Sequence, residues 1–357
     1  MKNCASIPTF LCAAGLLLSC GENGASAAPG PEFALGADIS WVTELESGGH
    51  RFFNADGVET DCFRLMKELG LNAVRLRVWV DPSEHGSWCN ADDLLEKARR
   101  AAAEGLDIMV DFHYSDWWAD PAKQTVPAAW QSHSFTQLKE DVRAHTTDVL
   151  RRLKKGRISP KWIQIGNETS DGFLWDAGRA GANPAQYAEL FAAGHDAAKS
   201  VFPKAGVIVH LDNGFDNELY NWNLDILKEH GARWDIVGMS LYPYWAVSSG
   251  REPDAGTTIS DCLSVIRNVG EKYGCDVMIV ETGMECADDS GRLAPQSVLE
   301  EGREQLRRIL RECRNLPGGR CAGVFYWEPE CRPSQYRLGA FTEDGRPTAI
   351  MDAFLEF

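Results

Sequence analysis

The chain has 357 residues, 44% hydrophobic and 25% charged, the proportions of a water-soluble globule with a sizeable core. A net charge of −16 and a pI near 5.0 argue against nucleic acid or a strongly anionic polymer as partner and leave a neutral substrate open. The eleven cysteines include no Cys-x-x-Cys pair, which speaks against a zinc or thiol-redox motif.

In chain order, the first segment is not read as part of the fold. Lys2 supplies a positive start, Phe10 to Leu18 is a short apolar core, and Leu17-Leu18-Ser19-Cys20 has the form of a lipoprotein processing site. So short a run cannot span a bilayer, which takes roughly 20 residues. Residues 1–19 are therefore expected to be a lipoprotein signal peptide and residues 20–32, small and Pro-containing, a flexible tether. An ordinary signal peptide cut near Ala25 to Ala28 is the plain alternative. On the first reading, lipid on Cys20 holds the protein at the outer membrane of a Gram-negative cell, with cell-surface and periplasmic orientations both open.

From Phe33 onward, buried-type runs alternate with helical periodicity. Strands are expected at 33–38, 72–79, 107–113, 162–165, 206–211, 235–241, 277–281 and 323–327. Helices are expected at 60–70, 90–105, 135–155, 184–202, 217–230, 257–273, 295–314 and 347–354. Eight strands alternating with eight helices predict an α/β fold, a single (β/α)8 TIM barrel over 33–357. Connections from helix to strand are terse, as in Gly70-Leu71. Those from strand to helix are long and rich in Gly, Pro, Asp and aromatics, as in 114–134, 242–256 and 328–346. The site is accordingly expected at the C-terminal ends of the strands.

Those ends present Asp38, Arg77, His113, Asn167 with Glu168, His210, Tyr242, Glu281 and Trp327. Asn167 and Glu168 could simply cap the next helix, but a Gly-, Asp- and Trp-rich stretch intervenes before Asn183-Pro184 opens it. Two carboxyls on separate strands suit cleavage of a glycosidic bond, which needs one protonated acid and one ionised nucleophile or base. Arg77 beside one carboxyl would lower its pKa, and apolar or like-charged surroundings would raise the other. A site role is favoured for His113 at its strand end, with a satisfied core histidine as the bland alternative; Asp38 has the alternative of a backbone partner in the first loop, and Tyr242 suits a hydrogen bond to Glu281. Of the 12 tryptophans, Trp327, Trp117 and Trp118 are the favoured platforms for a sugar face, with loop packing as the bland alternative.

The runs Gly36-Ala37-Asp38-Ile39-Ser40, Asn72 to Trp79, Asp111-Phe112-His113-Tyr114-Ser115-Asp116-Trp117-Trp118-Ala119-Asp120-Pro121, Gln164 to Glu168, Gly238 to Pro243 and Val280-Glu281-Thr282 together resemble glycoside hydrolase family 53, the endo-β-1,4-galactanases of clan A. The resemblance runs from about Leu35 to near the C-terminus. It implies cleavage of β-1,4-galactosidic bonds in galactan or type I arabinogalactan, with Glu168 as acid/base, Glu281 as nucleophile and Asn167 bonded to the sugar 2-hydroxyl. It also implies that Asp38, Arg77, His113, Asp116, Trp117, Trp118, His210, Tyr242 and Trp327 bind substrate. No cofactor is expected for catalysis and a monomer is expected. A structural calcium near Asp288, Asp289 and Ser290 is left open, since an acidic loop is usually just solvated. Rivals are another clan A endo-glycanase, of mannanase or glucanase type, and a non-catalytic glycan-binding lipoprotein; a metal-dependent barrel lacks the ligand spacing. Eight cysteines follow the tether. The barrel layout groups Cys62, Cys89, Cys262, Cys286 and Cys331 near the loop-rich face and Cys275, Cys313 and Cys321 near the other, with Cys62–Cys89 and Cys286–Cys331 as expected disulfides.

Overall fold

A computed structural model describes Met1 and residues 33–318 and 320–357. The expected leader, the tether and Cys20 lie outside the described residues. From Phe33 the chain forms eight parallel strands: β1 (Ala34–Asp38), β2 (Ala73–Val78), β3 (Asp107–Phe112), β4 (Trp162–Ile165), β5 (Gly206–Leu211), β6 (Ile236–Leu241), β7 (Asp276–Thr282) and β8 (Cys321–Trp327). Each pairs with the next and β8 closes on β1, the expected barrel. The helices are α1 (Val42–Ser47), α2 (Cys62–Glu68), α3 (Ala91–Ala103), α4 (Phe135–Lys155), α5 (Pro184–Val201), α6 (Asn217–Glu229), α7 (Pro243–Ser248), α8 (Ala255–Tyr273), α9 (Gln296–Arg314) and α10 (Asp352–Leu355). Helices α1 and α7 were not anticipated. At six residues each, they sit inside the loops after β1 and β6 and are too short to show a helical period.

Local chemistry fixes the ends of the longer helices. Ser134 and Gln137 form a reciprocal capping box at the start of α4, and the Asn90 side chain accepts from two backbone N–H groups at the start of α3. Gly274 ends α8 at φ 69°, a left-handed turn that a residue with a Cβ would strain.

Side-chain alternation along the strands builds the site. Outward residues such as Val74, Leu76, Val78, Ile108, Val110, Phe112, Ile163 and Ile165 join the helices in one continuous core. Inward residues at the lower end (Ala34, Ala73, Met109, Trp162, Ile208, Ile236, Met278 and Phe325) form a separate apolar plug. Gly36 makes room for that plug, since a Cβ there would stand 2.2 Å from the Phe325 ring. One step up the same faces, the inward positions turn polar: Asp38, Arg75, Asp111, Gln164, His210 and Ser240, all buried. The barrel thus carries a charged layer directly above a dry one.

The cysteine expectations need correction. All eight described cysteines are buried thiols without a disulfide, so Cys62–Cys89 and Cys286–Cys331 are not bridged. Each sits in its own environment. Cys89 Sγ lies 3.4 Å from Lys97 Nζ, and Cys286 Sγ contacts the Phe341 carbonyl at 3.7 Å. Cys262, expected near the loop-rich face, is a neighbour of Cys313 and Cys321 of the other group.

Candidate active site

The centre of the polar layer is Arg75, fully buried on β2. Its Nη1 meets Asp38 at 2.7 Å, and its Nη2 meets Asp111 at 3.0 Å and Glu281 at 2.9 Å. Its Nε donates to Gln164 Oε1 at 3.1 Å and Nη2 to Asn167 Oδ1 at 2.9 Å. One planar guanidinium therefore ties together side chains from β1, β3, β7 and the end of β4.

This corrects the role expected of Arg77. Two residues along the same inward face, Arg77 pairs with Glu328 at 3.1 Å instead of with Glu281. Its guanidinium lies under the rings of Trp118, Trp79 and Trp41, 4.2, 4.7 and 5.8 Å from their centroids. Arg77 is fully buried, so it supports the aromatic wall and does not reach a sugar.

Glu281 leaves β7 at an irregularity in the β6–β7 pairing, where it stands opposite Ser240. Besides Arg75 it accepts a 2.9 Å hydrogen bond from Tyr242 Oη, the partnership the sequence suggested. Burial raises its pKa to about 7, against the pull of Arg75 and Tyr242 and with the neighbouring Asp111 and Asp38 adding to the rise. Glu168 follows Gly166 and Asn167 at the end of β4, its own backbone in the left-handed region at φ 46°. Burial, the charge of Glu281 and that of Asp212 push its carboxyl well above the usual range. With a guanidinium on Glu281 and none in hydrogen-bond contact with Glu168 among the described residues, Glu281 ionises first and Glu168 keeps the proton.

The other expected residues divide into those at the cleft and those beneath it. Asn167 Nδ2 donates to the Ala119 carbonyl at 2.9 Å, which leaves its second amide hydrogen available. Trp327 is half-buried among Trp41, Trp118 and Tyr336, with ring centroids at 5.5, 5.9 and 4.8 Å. Trp118 joins this wall, whereas Trp117 stacks on His85 at 3.9 Å and lies tilted against Trp79 at 4.5 Å. Asp38 is fully buried and is held by Arg75 and by the N–H and hydroxyl of Ser40, so it braces the site from below. His113 bonds Asp111 at 2.9 Å, is nearly inaccessible, and braces the polar layer. Asp116 accepts from the N–H groups of Asp81 and Ala128 at 3.0 and 2.8 Å, pinning the segment after β2 to the segment after β3. His210 is fully buried beside Gln164, Asn167 and Ser240.

Sequence reasoning missed Arg75, Asp111, Gln164, Ser240 and Glu328. The period-2 rule held a signal for the first four, because each shares an inward face with a residue that was singled out or with the plug below. In the acidic loop after β7, the carboxylates considered for calcium are paired with arginines. Arg292 pairs with Asp288 at 3.1 Å, and Arg337 with Glu285 and Asp289 at 2.7 Å each. Among the described residues no group of three or more His, Cys, Asp or Glu side chains is arranged to hold a metal.

Comparison with known proteins agrees with this geometry. Residues 34–350 match the family described as Glycosyl hydrolase family 53. The chain is 32% identical over 319 residues to the endo-beta-1,4-galactanase of Bacillus subtilis (strain 168), covering 85% of this chain and 71% of that one. It is 33% identical over 308 residues to the arabinogalactan endo-beta-1,4-galactanase of Thermothelomyces thermophilus, covering 82% and 88%. A solved fungal beta-1,4-galactanase superposes with a TM-score of 0.79 at 29% identity, over 90% of this chain and 98% of that one.

Proposed function

We propose, from the premise that the chain belongs to glycosyl hydrolase family 53 and is therefore a glycosidase, that it is a retaining endo-acting hydrolase of β-1,4-galactan. The observation that carries the mechanism is the unequal treatment of the two carboxyls: Arg75 and Tyr242 hold Glu281, while Glu168 receives only a serine hydroxyl. Ionised Glu281 attacks the anomeric carbon and forms the glycosyl ester. The glycosidic bond breaks with its electron pair on the departing oxygen, which takes the proton of Glu168. Glu168, now a carboxylate, removes a proton from water as that water displaces Glu281. The free amide hydrogen of Asn167 is suited to the sugar 2-hydroxyl, and Trp327 to the apolar face of the ring. Protein carboxyls handle every proton and electron pair in this sequence, so the mechanism calls for no cofactor.

The substrate part of the reading rests on the names of the relatives, and their galactanase activity is what favours galactan over mannan or glucan. Digestion of a panel of neutral polysaccharides is expected to release oligosaccharides from β-1,4-galactan alone; faster release from mannan or glucan would move the assignment. For the mechanism, a retaining pair calls for carboxyls roughly 5–5.5 Å apart, and an NMR time course is expected to show the β-anomer first. Initial release of the α-anomer would mean inversion. Glu281→Ala is expected to lose nearly all turnover on every substrate. Glu168→Ala is expected to keep glycosylation of activated aryl glycosides, with added azide speeding its slow second step.

A further inference from the structure

Glu168 does not stand alone in its wall. Ser240, one residue before the end of β6, donates its hydroxyl to Glu168 Oε1 at 2.7 Å. Ser240 Oγ in turn lies 2.9 Å from His210 Nε2. The direction of this chain depends on which nitrogen of His210 carries the proton, and a backbone group decides that. The Glu168 N–H points at His210 Nδ1 at 3.2 Å, and a backbone donor cannot be reversed, so Nδ1 must accept. Gln164 Nε2 also lies 3.1 Å from this nitrogen, with its two hydrogens engaged by Asp111 Oδ1 and the Gly166 carbonyl. Asn167 Oδ1 also lies 3.1 Å from Nδ1, but that oxygen is already engaged by Arg75 and the contact joins two acceptors. The ring is therefore neutral with its hydrogen on Nε2. Full burial beside Arg75 also disfavours the imidazolium.

It follows that Nε2 donates to Ser240 Oγ and that the serine hydrogen can only point onward, to Glu168 Oε1. We propose that Ser240 and His210 are positioning residues of the acid/base. Their one-way chain occupies Oε1 with a donated hydrogen and confines the catalytic proton to Oε2, the oxygen left open to the leaving group. Among the described residues Oε2 has no hydrogen-bond partner. Glu168 borders a cavity of about 490 Å³ shared with Asp212, Tyr242, Trp245 and Arg251. The inference rests on Glu168 being the acid/base, as read above, and adds the cause of its proton's position.

The test is Ser240→Ala, read on two substrates and across pH. With galactan, where the leaving oxygen needs a proton, kcat/KM is expected to fall about 10-fold or more, the value of a hydrogen bond to a charged group. With a 2,4-dinitrophenyl glycoside, whose leaving group needs no proton, it is expected to stay within about twofold by the same reasoning. The alkaline limb of the galactan profile is expected to move up, because the lost donor favoured the Glu168 carboxylate. The other charged or titratable groups facing Glu168 are Glu281, Asp212, Arg75, His210, Tyr242, Tyr220 and Arg251, and the substitution leaves them all in place. Equal losses on both substrates, or an unmoved alkaline limb, would overturn the proposal. Failure of the underlying reading looks different: wild-type Glu168 would then be dispensable, and Glu168→Ala would show neither azide rescue nor a preference for the activated substrate.

Discussion

Replacing Arg75 by lysine while replacing Arg77 by lysine in a parallel variant separates the two arginines that share one face of β2. A lysine ammonium keeps the charge but offers three donors in place of five and no planar fork. At position 75 it cannot serve Asp38, Asp111, Glu281, Gln164 and Asn167 together. Loss of two charge-assisted hydrogen bonds, at about 1.5–3 kcal/mol each, gives roughly 3–6 kcal/mol of destabilisation. With an unfolding entropy of about 2.1 cal/mol/K per residue over the ~325 residues of the barrel, Tm should drop by roughly 4–9 °C. The activity effect has a definite sign. Arg75 favours the Glu281 carboxylate, so a weaker partner raises the Glu281 pKa above its value of about 7. Because the nucleophile must be ionised, the acid limb of the kcat/KM profile moves to higher pH. Arg77→Lys also loses stability, but it touches Glu328 and the indoles and not Glu281, so its acid limb should stay in place. Calorimetry and pH–rate profiles on both variants decide the matter. An unmoved acid limb in Arg75→Lys, or a shifted one in Arg77→Lys, would refute the assignment.

Tyr242→Phe removes the hydroxyl that Glu281 Oε2 accepts at 2.9 Å, and kcat/KM is expected to fall by about 10- to 100-fold with the acid limb again shifted upward. A loss under twofold would mean that Tyr242 only fills space. Glu330 is fully buried with no donor at hydrogen-bond geometry for either oxygen, and burial beside Glu328 raises its pKa well above normal. The stability tied to its neutral form is complete below about pH 4.3 and is lost as pH rises toward the folded-state pKa. The Tm advantage of Glu330→Gln over wild type should therefore widen as pH rises from about 4.3 and then level off. An advantage independent of pH would place the ionisable group elsewhere.

The barrel was legible because its signals repeat: eight buried-type strands, terse returns below and elaborate loops above. The two glutamates drew attention because each stands at the C-terminal end of such a strand. What stayed hidden was the second layer. Arg75 and Arg77 both point inward, and nothing in their spacing says which one meets Glu281; a shift along the barrel axis decides it, and that depends on how eight strands stagger. Ser240 was quoted only as part of a motif, since a small hydroxyl in an apolar strand does not advertise a partner 72 positions earlier. Asp38 and His113 have the residue types of substrate ligands but are spent on buried internal bonds, and half-exposed Asp116 is spent on backbone N–H groups. The cysteine pairs failed for a similar reason: sharing a face does not bring two thiols within bridging distance.

The Arg75 cluster has a consequence for how such an enzyme can diversify. Its members come from the strands themselves, and the same contacts that orient Glu281 also tie β1, β2, β3, β4 and β7 at the barrel mouth. A change there alters chemistry and folding at once, so the reaction type is tied to the scaffold. The aromatic residues nearest the opening belong to a different stratum. Trp117, Trp118 and Trp245 sit in loops after β3 and β6, and Trp327 only borders one. Loops tolerate substitution and insertion far better than strands do. Selection can therefore explore which sugar is held while the machinery that cuts it stays fixed, and the cleft can change its preference without a renegotiation of the fold.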